Sequence, residues 1–104
     1  MAYVYLIGDC EKNDTYKIGV TTGTIENRLK KLQTGNAGEL YLVSLHETDR
    51  PFYIERQLHM YFKPKRLINE WFALDSDDLK EFNKICEMFE TNAEVLKNNP
   101  FFKE

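Results

Sequence analysis

A chain of 104 residues, 42% of them hydrophobic and 13% aromatic, can bury one core and has little left for a second. Charged residues make up 30%, and there is no low-complexity tract or internal repeat, which excludes an intrinsically disordered chain outside the last few residues. The formal net charge of -3 argues against a uniformly basic nucleic-acid-binding surface, but says nothing about local clusters.

The first apolar stretch, Ala2 to Ile7, alternates Tyr3, Tyr5 and Ile7 with Val4 and Leu6 before Gly8-Asp9, and so reads as a strand. It is too short to cross a bilayer, and no basic leader or small-residue cleavage site accompanies it. The expectation is a soluble, cytoplasmic protein with no membrane partner. Glu11 to Asp14 is turn-forming, and Tyr16 to Thr21 gives a second strand, so that residues 2–21 form a hairpin with a longish loop. Thr24 is placed to cap a helix in which Ile25, Leu29 and Leu32 recur at helical spacing until Gly35 and Gly38.

Leu40 to Leu45 suits a third strand. Asp49 is then placed to cap a second helix with Pro51 in its first turn, a stripe of Ile54, Leu58 and Tyr61, and an end at Pro64. After the short extended piece Trp71 to Leu74, Asp75 or Ser76 opens a third helix. Asp77 and Asp78 favour the positive end of its dipole, and Leu79, Phe82, Cys86 and Phe89 line one face. Cys10 and Cys86 have no short Cys/His spacing around them and read as free thiols. The order β-β-α-β-α, extended piece, helix predicts an α+β fold with a small, mostly antiparallel three-stranded sheet flanked by helices.

Charge is uneven along this order. Residues 1–75 carry ten Lys and Arg against ten Asp and Glu, and residues 76–104 carry four against seven, so all the excess acid lies in the C-terminal quarter. The first part also groups its bases, Arg28, Lys30 and Lys31 in one segment and Lys63, Lys65 and Arg66 in another. Such groups contact phosphates locally even in an acidic chain, although most charge runs are only solvated faces.

Five features fall in one order on these elements. They are Val4-Tyr5-Leu6 on the first strand, Lys17-Ile18-Gly19 on the second, Arg28 on the first helix, Glu55 on the second, and Asn69-Glu70-Trp71-Phe72 after Pro64. The ordered set resembles the GIY-YIG nuclease superfamily over roughly residues 3–74. It is most similar to a phage- and virus-rich branch in which a lysine replaces the second tyrosine and the glutamate helix reads like Glu55-Arg56-Gln57-Leu58-His59. The resemblance implies a catalytic core over residues 1–75, with residues 76–104 a C-terminal amphipathic helix and tail on the same domain.

It further implies a metal-dependent endonuclease acting on nucleic acid, DNA ahead of RNA, with Tyr5 as general base, Arg28 on the scissile phosphate and Glu55 as the one protein ligand to Mg²⁺ or Mn²⁺. These residue types match the needs of phosphodiester hydrolysis: an activated water, a neutralised phosphate and help for the leaving oxygen. A single carboxylate suits Mg²⁺, which keeps several waters.

His59, one turn from Glu55, shares its face and is placed to hydrogen-bond the carboxylate or act as an acid. A generic phenol has a pKa of about 10, so a tyrosine base needs help, and Lys17 on the neighbouring strand is the cation expected to supply it. Asn69 falls near the family's late asparagine, with Glu70 the alternative match. Taken singly, each of these is an ordinary core or surface residue. Two other functions fit the same fold: a non-catalytic nucleic-acid-binding module, and a protein-interaction domain that docks partners through the Phe82/Phe89 stripe of the acidic helix.

Overall fold

The computed structural model describes residues 1–98. Its elements are β1 (Ala2–Asp9), β2 (Lys12–Thr21), α1 (Ile25–Thr34), β3 (Leu40–Thr48), α2 (Pro51–Tyr61), a 3-10 turn (Lys63–Lys65), β4 (Arg66–Ile68), β5 (Trp71–Ala73) and α3 (Ser76–Asn98). The fold is α+β, with an antiparallel sheet in the order β3-β1-β2-β5-β4.

The sheet has five strands where three were expected. The two extra strands are three residues each, and β4 is exposed throughout, so neither carries a readable alternation. β2 also begins earlier than Tyr16. Asp9 pairs with Lys12 and Gly8 with Tyr16, so the polar residues between them form a bulge within the strand, with Asp14 at φ 56.

Alternation along β1 divides the interior. Val4 and Leu6 face α2 and α3, where they meet Ile18, Ile54, Leu58, Phe62, Phe72, Phe82, Cys86 and Phe89. Tyr5 and Ile7 face the other way, against Leu40 and the Ile25, Leu29 and Leu32 stripe of α1. Each fully buried side chain of this size stabilises the fold by about 1.5–3 kcal/mol. Phe82 and Phe89 lie in the first of these clusters, which removes the stripe through which α3 was to dock partners.

Thr24 caps α1 as expected, its hydroxyl accepting from Asn27 N at 3.2 Å. At α2 the N-cap is Arg50 and not Asp49, and no side chain caps the helix. Arg50 N instead donates to Thr48 Oγ1 at 3.0 Å, and Pro51 stands at the first helical position, where the missing N–H costs nothing. The α2 stripe contains Ile54 and Leu58 but not Tyr61, which is 52% exposed, while the next residue, Phe62, is buried. At α3 the caps are reciprocal, Asp78 N donating to Asp75 Oδ1 at 2.9 Å and Asp75 N to Asp78 Oδ2 at 3.0 Å.

Both cysteines are free, and burial pushes the Cys86 thiol up to about 12, out of reach of nucleophilic chemistry near neutrality. No helix among the described residues is long and apolar enough to cross a membrane.

Candidate active site

β2 is paired on both sides only in part of its length. β5 accompanies it along Thr15, Tyr16 and Lys17, and Ile18 N donates to Glu70 O at 3.0 Å. From there to Thr21 it is paired with β1 alone among the described strands. α2 passes this open edge, and His59 Nε2 lies 3.1 Å from Ile18 O. A carbonyl oxygen only accepts, so Nε2 is the donor in this contact.

Tyr5 and Gly19 are partners across β1 and β2. The Tyr5 ring lies over the glycine, and a Cβ there would overlap the ring and its hydroxyl. The absent side chain lets a fully buried tyrosine bring its hydroxyl to the β2 strand. From α1, Arg28 Nε donates to that hydroxyl at 3.4 Å. The guanidinium is held above its ordinary value first by this hydrogen bond and by attraction to the same oxygen, with burial opposing and Glu70 adding a smaller pull.

Glu55 and His59 project from α2, four residues apart, toward Glu70 in the turn just before β5. One ligand atom from each of the three lies within 4.8 Å of the others. Burial, then the charge of Glu70 and a hydrogen bond shared with it, push the Glu55 carboxyl from 4.5 up to about 7, with Lys17 pulling the other way. Two carboxylates held together at partial burial, beside an imidazole whose Nε2 is fixed by a backbone carbonyl, form a donor set that fits a divalent cation.

The structure thus brings together Tyr5 with Arg28, and Glu55 with His59. Lys17 is placed differently from the expectation. It lies opposite Ile7 rather than Tyr5, and its ammonium is 2.9 Å from Glu70 Oε2 and 5.6 Å from the centre of the Trp71 ring. The cation at the Tyr5 hydroxyl is Arg28.

Asn69, directly before Glu70, is exposed at the β4–β5 turn with φ 51. That is a left-handed conformation asparagine tolerates better than most residues, and its carbonyl accepts from Arg66 Nε at 2.8 Å. The member that sequence reasoning left as an alternative is Glu70. Its signal was the carboxylate directly before Trp71, on the strand that flanks Lys17.

The six basic residues divide. Arg28 and Lys31 line a groove of about 410 Å³ with Thr21, Thr24, Asn27 and the exposed Phe52. Lys30 and Lys63 are exposed. Lys65 is committed to the α3 cap, 2.5 Å from Asp78 and 3.6 Å from Asp75. Arg66 is turned to the Asn69 carbonyl.

No curated protein and no solved structure matches the chain. Residues 2–97 match the family model described as the T5orf172 domain, a span that includes the sheet, the site and nearly all of α3. A match of that extent makes the chain a member of the T5orf172 domain family, a phage-associated, nuclease-like domain.

Proposed function

We propose that this domain is a GIY-YIG-type endonuclease that hydrolyses phosphodiester bonds of nucleic acid, DNA ahead of RNA, with Mg²⁺ or Mn²⁺. The observation that carries the reading is that two groups flank neighbouring residues of β2: a tyrosine hydroxyl bonded to Arg28 over Gly19, and a Glu/His/Glu cluster whose histidine meets the Ile18 carbonyl.

Glu55 would hold the metal, which supplies a Lewis acid for the phosphate and for the departing oxygen. As the phenolate, its own proton already given up to solvent, the Tyr5 oxygen takes a proton from the attacking water as that water's oxygen bonds to phosphorus. The bond from phosphorus to the sugar oxygen breaks, and that oxygen leaves with the electron pair, its charge offset by the cation Glu55 would hold until water protonates it. Arg28 donates to the Tyr5 oxygen, which favours the phenolate, and has further N–H groups for a phosphate oxygen, where charge gathers in the transition state. His59 is oriented by the Ile18 carbonyl and has a ring nitrogen within the cluster. The groove beside Arg28 and Lys31 offers the strand a path to that edge, with Phe52 exposed for contact with a base.

The test is a cleavage assay on single- and double-stranded DNA and RNA with Mg²⁺ or Mn²⁺, against Glu55→Ala. Metal-dependent cleavage lost in a folded Glu55→Ala supports the reading. Binding without cleavage by the wild-type chain would leave a non-catalytic module, and equal cleavage by the mutant would reject Glu55 as the ligand.

A further inference from the structure

A contact between Lys17 and Glu70 adjoins the Glu55/His59/Glu70 cluster, 2.9 Å from Nζ to Oε2. The same carboxylate has a ligand atom within 4.8 Å of those of Glu55 and His59. Glu70 is therefore between two claims, an ammonium on its own sheet face and whatever cation Glu55 takes. Resting on the reading of Glu55 as a metal ligand, we propose that Glu70 is a second protein ligand to the same cation and that Lys17 holds its place, so that ammonium and metal are alternative partners of one carboxylate.

Charge counting supports an exchange. Without a metal, Lys17 offsets one of two carboxylates whose mutual repulsion would otherwise force them apart. A divalent cation offsets both, and an ammonium left on Glu70 would then stand beside a double positive charge.

Lysine suits such exchange better than arginine, because its point charge rides on a flexible four-carbon stem and makes no bidentate fork to break. It also has somewhere to go. The Trp71 ring already lies 5.6 Å from Nζ, and aromatic faces attract ammonium groups. Lys12 lies over the same ring at 5.4 Å. Trp71 opens β5 directly after Glu70, which keeps the ring and the carboxylate on adjacent residues.

The experiment measures Mn²⁺ binding to the full chain by calorimetry and by the electron paramagnetic resonance of free Mn²⁺, with no nucleic acid present. Glu70→Gln should weaken binding by about tenfold or more, the range seen when groups around a bound metal are altered. Lys17→Met should tighten it several-fold.

Both substitutions delete the same ion pair, so a loss caused only by a broken ion pair would weaken binding in both, and that result overturns the proposal. Wild-type affinity in Glu70→Gln, with binding lost in Glu55→Gln, also overturns it while leaving the assignment of Glu55 standing. Wild-type affinity in Glu55→Gln would instead reject the metal site on which the proposal rests. Thermal melts of each variant establish that it is folded.

Discussion

Arg28 Nε reaches the Tyr5 hydroxyl, 3.4 Å away, from a helix on the face of the sheet to which that ring points. Tyr5→Phe removes only the acceptor and keeps the ring that fills the α1-side cluster. Cleavage should fall to background, while stability changes by about 1 kcal/mol, the usual contribution of one hydrogen bond. Turnover and a thermal melt on the same preparation decide it, and a Tyr5→Phe protein with normal turnover would end the general-base assignment.

Gly19→Ala should be more damaging than its single methyl suggests. The new Cβ would collide with the Tyr5 hydroxyl and the ring atoms next to it, both boxed in by a buried layer. A loss of about 1–3 kcal/mol, typical of overpacking, should accompany loss of cleavage. Combining it with Tyr5→Phe should recover part of the stability and none of the activity. An additive double mutant in denaturant melts would show that the two side chains do not collide.

The Glu55 carboxyl, raised from 4.5 to about 7, makes stability depend on pH in a defined direction. Between those values the folded chain holds a proton that the unfolded chain has released, so stability present below the unfolded value is lost as pH rises through the folded one. Without metal, the melting temperature should fall over this window more in the wild type than in Glu55→Gln, which cannot titrate there. Added Mn²⁺ binds the ionised carboxylate, so its stabilisation should grow across the same window and level off above about pH 7. Parallel pH curves for wild type and Glu55→Gln would contradict the shift.

The basic residues should divide in binding as they do in space. Lys31, on the groove with Arg28, is expected to contact phosphate, and Lys31→Ala should reduce the salt dependence of nucleic-acid affinity by about one ion. Lys65 is tied to Asp78 and Asp75, so Lys65→Ala should lower thermal stability and leave the salt slope unchanged. Binding isotherms across a salt series separate the two, and a slope altered by Lys65→Ala instead of Lys31→Ala would reverse the assignment.

The elements that announced themselves in sequence are those whose side chains repeat. β1 alternates, α1 and α3 carry apolar stripes with Thr24 and Asp75 ahead of them, and these were read correctly. β4 and β5 are too short for any period, and the bulge in β2 made strand residues look like a loop.

At the site, the spacing of Glu55 and His59 on one helix face was legible because helix geometry alone sets it. The partnership of Lys17 was not. It depends on register, which puts Lys17 opposite Ile7 and Trp71 and leaves Tyr5 to Gly19. A pattern of residue types does not encode a two-residue offset between strands. Asn69 shows the converse: its identity matched the pattern, but its backbone at φ 51 gives the asparagine a reason to be there that needs no chemistry.

The open stretch of β2 has a consequence for solubility. From Ile18 to Thr21 the strand leaves one row of backbone groups without a neighbouring strand, in the middle of a sheet whose other members are paired around it. Such a row is a template for another chain's strand, and proteins usually blunt it with charge, bulges or a covering helix. Here the covering helix is α2, and His59 occupies the Ile18 carbonyl. The imidazole thus occupies a carbonyl that a foreign strand would need, and the helix that carries Glu55 and His59 is also the one that closes this edge to other copies of the chain.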